Sequence, residues 1–339
     1  MSPNSILGSN PVVEATLSPH VAFYRPKKLN FVVGTQLSGP PHFGTVLTHA
    51  ITFVLAKLTK EAFGIETSVE IGFLDNTTAL TIDAGGTTYQ KNLAQTLSHD
   101  KLEQLVSDLY DSLHLYLSAR TRVEYKRTVF SGLLSSTEIR RKLSDSLSKW
   151  SELINVFKAT TLRVPCPVCG FFEKESSTTH HLGGGFVRSI CFEHGEYVSD
   201  LNDPLETPYF DIGVLHRNLI KEVLLDCSES IVIKGTDWLP GCQTVDFGHR
   251  VLGTTPPTRV FTPLVVMESG AKLSKSFLRA NGHISHAIPR WLRESDEITT
   301  EMFDFLFEFV ECIMDDARHF YRSYTTSEMD LMLKKHQKG

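Results

Sequence analysis

Five short stretches of this chain carry residue types able to do chemistry. CPVCG at 166–170 and CFEHG at 191–195 form a Cys-x-x-Cys…Cys-x-x-His set, with 21 residues between Cys169 and Cys191. Three thiolates and an imidazole in two knuckles suit a tetrahedral zinc ion. With Cys166, Cys169, Cys191 and His194 filling all four positions, such a zinc is structural rather than catalytic. PPHFG at 40–44 follows the apolar run LNFVV. Its double proline fixes a turn, and the exposed amides of a helix starting at His42 favour anions, phosphate above all. His42 can donate to a phosphate oxygen, and Gly44 lets a flat ring or a phosphate approach the backbone. KLSKS at 272–276 sets Lys272 and Lys275 beside Ser274 and Ser276, a grip for a polyphosphate and for charge developing on a leaving pyrophosphate. In GTDW at 235–238, Gly235 lets the chain pass close to a ligand. Each stretch alone also fits a plainer role: free thiols, a capped helix, a solvated loop, a strand-end turn.

These residues need elements to hold them. LNFVVGTQ at 29–36 reads as a buried strand, residues 42–63 as a helix with apolar positions near helical spacing and Gly64 as its stop, and SVEIGFL at 68–74 as a second strand. Strand, helix, strand at this spacing predicts a βαβ unit and a parallel sheet. Residues 88–160 read as helical. Residues 163–200 are rich in Cys, His and Gly, with short strand-like pieces. The α/β pattern returns after Pro204, with a helix at 212–225, a strand at 230–235 and an apolar run at 259–267; the chain after 286 reads as helical. The expected organisation is an α/β fold, a Rossmann-like parallel sheet split by a zinc-binding insertion: 1–160, the first half with a helical insertion; 161–204, a zinc-ribbon-like insertion; 205–285, the second half with the KLSKS loop; 286–339, a short helical C-terminal tail. Ligands of such folds sit at the carboxyl ends of the strands.

Composition narrows the options. The 339 residues are 41% hydrophobic and 22% charged, ordinary for a folded soluble protein, with net charge -5, so there is no global basic field for nucleic acid. No apolar run approaches the roughly 20 residues a membrane helix needs. The first twenty residues read as a loose leader without a signal peptide, and the expected location is cytoplasmic. Of the six cysteines, Cys227, Cys242 and Cys312 read as buried thiols, and His180 and His181 as surface residues.

Taken in order along the chain, PPHFG, GTD and KLSKS resemble the signature motifs of class I aminoacyl-tRNA synthetases. SGPPHFG, CPVCG and GTDW together look most like the archaeal-type class I lysyl enzymes. The resemblance covers roughly residues 28–285. It implies activation of an amino acid by ATP, with Mg2+, to an aminoacyl-adenylate and pyrophosphate. His42, Lys272 and Lys275 would be catalytic. Gly39, Pro41, His42, Gly44, Thr45, Gly235, Asp237, Lys272, Ser274, Lys275 and Ser276 would bind ATP, Asp237 holding the ribose. Thr35, Gln36 and Ser38 would hold the amino acid's α-groups, and Asp75, Asp211 and Trp238 would face a side chain, lysine being the expected one. The chain departs from the pattern at Thr45, where the family has His or Asn, and at Trp238, where the lysyl type has His. Residues 277–339 leave room for two or three helices rather than an anticodon-binding domain. The expected acceptor of the acyl group is therefore a small molecule or carrier protein. The alternatives are the acceptor end of a tRNA, or an inactive relative that binds RNA or a partner. A pantothenate-synthetase-like ligase shares the HxGH-like helix start but not the other motifs.

Overall fold

The computed structural model describes residues 10–158, 161–273, 290–293 and 300–337. Helix α1 (Pro11–Tyr24) leads into strand β1 (Lys28–Gln36), helix α2 (Phe43–Phe63), strand β2 (Glu66–Leu74), helix α3 (His99–Thr121), strand β3 (Glu124–Val129), helix α4 (Val214–Val223), strand β4 (Ser230–Gly235), helix α5 (Leu239–Leu252) and strand β5 (Thr258–Thr262). The five strands are all parallel, in the order β3-β2-β1-β4-β5. The order reverses between β1 and β4. In an open parallel sheet, connections on the two sides of that point leave to opposite faces, so a crevice opens beyond the carboxyl ends of those two strands.

β1 lies at the centre, and its residues Leu29, Phe31 and Val33 are buried. α2 starts on His42 as its N-cap and stops at Gly64, whose φ of 66 supplies the left-handed turn. Its Val46, Leu47, Ala50, Phe53 and Val54 are buried in the main core, which also takes Val69 and Ile71 of β2, Val106 and Tyr110 of α3, and Phe303, Leu306 and Val310 from the helix Thr300–Met314. The described chain after 300 is mostly helical, as expected, but Tyr324–Thr325 pairs as a strand with Val265–Val266, and the helix Thr300–Met314 packs into this core.

Two elements differ from expectation. The supposed leader contains α1: Asn10 accepts from the amides of Val12 and Val13, while Val12, Val13 and Leu17 are fully buried. His20 ties α1 to the sheet through Thr258 Oγ1 at 2.8 Å. The stretch 88–160 is not wholly helical. It holds β3 at the sheet edge and, earlier, half of a hairpin, Thr78–Ala84 with Thr87–Asn92, turned by Gly85 and Gly86 at φ 57 and 82.

That hairpin pairs with Phe172–Glu173 of the cysteine-rich segment. The segment carries an antiparallel three-stranded sheet of His180–Gly183, Phe186–Cys191 and Gly195–Asp200. Its flanks, Leu162–Arg163 and Asp211–Ile212, pair with each other, so the chain leaves and rejoins the α/β layers at adjacent points. Among the described residues no helix is long and apolar enough to cross a membrane.

Candidate active site

The crevice beside β1 is lined on one side by the start of α2. His42 holds an extended backbone and turns its ring back over the helix, its Nδ1 accepting from Gly44 N at 3.1 Å. The ring lies so close that a Cβ on Gly44 would fall 3.0 Å from His42 Cε1. Glycine at this position therefore lets the imidazole sit across the helix start. Thr45 Oγ1 lies 3.5 Å from His42 Nε2. Gly39 takes φ 111 in the approach to this turn, and Pro41 is buried beneath it.

On the other side, β4 ends at Gly235 and continues into a 3-10 turn, Thr236–Trp238. A Cβ on Gly235 would stand 2.5 Å from Asp237 Oδ1, so glycine makes room for the Asp237 carboxylate to fold back over the strand end. Thr236 Oγ1 donates to Thr262 O at 2.7 Å, Thr48 Oγ1 lies 3.4 Å from Thr262 Oγ1, and Thr48 Oγ1 donates to Gly44 O at 2.9 Å. These bonds run from the helix start through the end of β5 to the turn after β4.

Lys272 comes to the same place. Residues 265–273 form a tight hairpin, not an open loop: Leu273 N donates to Val265 O, Met267 N to Ala271 O, and Gly270 takes φ 81 at the bend. Lys272 Nζ donates to Asp237 Oδ2 at 2.6 Å. The sequence-predicted Ser274, Lys275 and Ser276 lie outside the described residues.

Behind the turn is a buried charge network. Glu222 of α4 receives Arg259 and His249, and Lys234 Nζ stands 3.4 Å away. Burial works to raise the Glu222 pKa, but the hydrogen bonds from His249 and Arg259 and the charges of Lys234 and Arg259 outweigh it and bring it down to about 2. Lys234 donates to Asn218 at 2.8 Å and sits 5.3 Å from the centre of the Trp238 ring, so Trp238 rests on a cation of the sheet.

The residues expected around the amino acid separate into two sets. Thr35 turns inward, its hydroxyl 3.3 Å from Tyr110 OH, and Asp75 is fully buried, its carboxylate accepting from Ser131 N and Oγ. Burial raises the Asp75 pKa despite these bonds. Neither carboxylate nor hydroxyl faces open space. Ser38 N closes a turn onto Gln36 O at 2.9 Å. Gln36 and Asp211, by contrast, line a polar cleft of about 440 Å³ at the carboxyl ends of β1 and β2. There Asp211 is held by Arg217 Nη1 and Arg163 Nη1, each at 2.8 Å, and by Asn76 Nδ2 at 3.2 Å. Arg163, Arg217 and Asn76 carried no motif signal, because they come from three separate segments that only the fold unites. Lys221 was equally silent: Gly34 and Gly72 face each other in register, and a Cβ on either would stand 3.7 or 3.2 Å from its Nζ. Burial, then the charges of Lys234 and Arg217, lower the Lys221 pKa to about 8.

The Cys/His set converges as its spacing predicts. The four ligand atoms of Cys166, Cys169, Cys191 and His194 lie within 4.8 Å of one another. Cys169 Sγ to Cys191 Sγ is 3.5 Å, and His194 Nδ1 is 3.7 and 3.5 Å from the sulfurs of Cys166 and Cys191. A tetrahedral zinc with ordinary bond lengths separates its ligands by about 3.6–3.8 Å, so this donor set fits one. Gly170 and Gly195, at φ 76 and 74, close the two knuckles. Of the other thiols Cys242 is buried, Cys227 is half-buried and Cys312 is exposed, which corrects the expectation of three buried ones.

No protein-family profile and no curated protein matches the chain. Among solved structures it is similar to a glutamate tRNA ligase from Elizabethkingia meningosepticum crystallised with its amino acid, at 10% identity over 92% of this chain and 70% of that one, TM-score 0.40. It is also similar to a Mycobacterium tuberculosis methionyl-tRNA synthetase in complex with methionyl-adenylate (12%, 91% and 68%, TM-score 0.42) and to a tyrosyl-tRNA synthetase from Archaeoglobus fulgidus (12%, 79% and 65%, TM-score 0.36).

Proposed function

We propose that this protein activates an amino acid with ATP in the manner of class I aminoacyl-tRNA synthetases, forming an aminoacyl-adenylate and releasing pyrophosphate. The observation that carries this reading is the meeting of three motifs at the reversal point of the sheet: the His42–Gly44 helix start beyond β1, the Gly235–Asp237 turn beyond β4, and Lys272 folded onto Asp237.

The chemistry follows from those groups. The carboxylate of the amino acid attacks the α-phosphorus of ATP, the bond to the bridging oxygen breaks, and pyrophosphate leaves with the electron pair. No protein group must gain or lose a proton in that displacement, so the protein's contribution is positioning and charge. His42 and the α2 amides would receive phosphate oxygens, Gly44 and Gly235 would let the nucleotide lie against the backbone, and Asp237 would take ribose hydroxyls. Pro41, Gly39 and Thr45 would shape the same turn. Lys272, with Lys275, Ser274 and Ser276, would hold the leaving pyrophosphate, accompanied by Mg2+ on the phosphate oxygens. Lys272 and Asp237 neutralise each other in this structure, so ATP would exchange their partners: ribose for the carboxylate, phosphate for the ammonium. The Cys166–His194 centre would hold a structural zinc that secures the segment 161–204.

We propose a small molecule or a carrier protein as acceptor of the acyl group, since the net charge of -5 offers no global attraction for a polyanion; the acceptor end of a tRNA is the alternative. ATP–pyrophosphate exchange with each amino acid, without tRNA, tests the activation step. Lys272→Met should lower exchange by about a hundredfold with the fold intact. Undiminished exchange in that variant removes Lys272 from the site.

A further inference from the structure

We infer that the polar cleft at the carboxyl ends of β1 and β2 selects an amino acid whose side chain ends in a carboxylate, rather than lysine. The inference rests on the activation reading for its role but on the cleft alone for its chemistry.

Three cations and one carboxylate line the cleft: Arg163, Arg217, Lys174 and Asp211. Lys174 is exposed and stands 3.4 Å from Glu175 at the rim. The inner wall is the triad of Asp211 between two guanidinium groups. Asp211 is 2% exposed and Arg217 7% exposed, while the Arg163 side chain keeps 23% exposure. The three carry one positive charge more than they balance among themselves, with the buried Asp75 behind Ser131 the other acid nearby. The surplus charge lies on the side of Arg163, which is open to the cleft, and a guanidinium there is matched to an anionic ligand. The geometry leaves donors for one. Among the described residues Arg217 bonds through Nη1 alone, to Asp211 and to Ile212 O, and Arg163 through Nη1 and Nε. A guanidinium has five N–H donors in a planar fork matched to carboxylate.

The same wall suits an ammonium side chain poorly, since the cations around Asp211 repel it and already hold both of its oxygens. Both oxygens of Asp211 are occupied, Oδ1 by Arg217 and Asn76 and Oδ2 by Arg163. Asp75, the other acid nearby, is closed off by Ser131. The acceptors on offer are neutral. Asn76 Oδ1, whose amide is oriented by its bond to Asp211, and Thr161 Oγ1 are buried on the cleft and have no hydrogen-bond partner among the described residues. A neutral acceptor pair beside a cationic wall suits a zwitterion: an α-ammonium on Asn76 and Thr161, a side-chain carboxylate on the arginines. Gln36 at the end of β1 would then lie between this cleft and the helix start at His42.

Isothermal titration of the full chain with L-glutamate, L-aspartate, L-glutamine and L-lysine tests this. One of the two acids should bind about tenfold or more tighter than glutamine and lysine, because the amide and the ammonium lose the charged hydrogen bonds. Arg163→Gln should lower affinity for that acid by about tenfold and leave glutamine unchanged. The wild-type comparison of acid against amide needs no variant and stands if the substitution impairs folding. Equal binding of acid and amide, tighter binding of lysine, or no binding of either acid overturns the inference. Pyrophosphate exchange run beside it separates the two readings. Exchange with lysine or a neutral amino acid alone keeps activation and refutes the acidic cleft; Arg163-dependent binding of an acid without exchange keeps the cleft and refutes activation in the absence of tRNA.

Discussion

Glu222 gives the sharpest quantitative expectation. It is a buried carboxylate at the junction of α4, β4 and α5, receiving Arg259 and His249 with Lys234 beside it. Its pKa stands at about 2 against an ordinary 4.5. That depression corresponds to about 3 kcal/mol of stability that depends on the negative charge. Glu222→Gln keeps the shape and removes the charge. The folded pKa lies below the unfolded one, so this contribution is complete above pH 4.5 and is lost as pH falls toward 2. Urea denaturation should show the variant about 3 kcal/mol less stable at neutral pH, the loss rising further if Arg259 is left uncompensated. By pH 3.5 the gap between variant and wild type should narrow by about 1 kcal/mol, because protonation of unfolded Glu222 is by then well under way. A gap that stays constant from pH 7 to 3.5 would mean that packing, not charge, is what the substitution removes, and would refute the reasoning.

Other expectations follow from single contacts. Gly44→Ala should retain or slightly raise the melting temperature, since alanine favours helix, yet lower pyrophosphate exchange by about tenfold or more by displacing the His42 ring; equal activity would detach that ring from the site. Lys221 has a folded pKa of about 8 below its ordinary 10.5, so its burial penalises the charged form below pH 8 and is relieved as pH rises. Stability should therefore climb by up to about 3 kcal/mol between pH 8 and 10.5, and Lys221→Met should flatten that rise in chemical denaturation. Metal analysis should find one zinc per chain, and Cys169→Ala should lose it and open the segment 161–204 to protease, while retention of full zinc would exclude Cys169 as a ligand.

The sequence disclosed those parts of the molecule whose chemistry is local. CPVCG and CFEHG needed only their own turns to converge, and β1, α2 and β2 showed because their apolar residues are clustered locally, alternating in burial along β1 and recurring at helical spacing along α2. β3 was hidden: EYKRTV is an edge strand of alternating charged and half-buried residues between long helices, and its polar face imitates a helix surface. α1 was hidden by Pro11 and Pro19, which read as loop although both are accommodated in the helix. The cleft was the least legible, because residues 76, 163, 211 and 217 meet only through the sheet and the pairing of Leu162–Arg163 with Asp211–Ile212. Asp211 by itself suggested a partner for an ammonium; beside two arginines it reads the other way.

The strand order has a consequence for how the chain acquires its shape. β1 must pair with β4, with Asn30 opposite Ser230 and Val33 opposite Ile233. Some two hundred residues separate those partners. During synthesis β1 and β2 can pair early, but one edge of the apolar β1 stays open until the segment through Gly235 has emerged. Long-range parallel pairing of this kind folds slowly, and an open apolar edge invites association with other chains. The reversal point beside the site thus closes only after β2 and β3 are in place, and β5 can join β4 only after that.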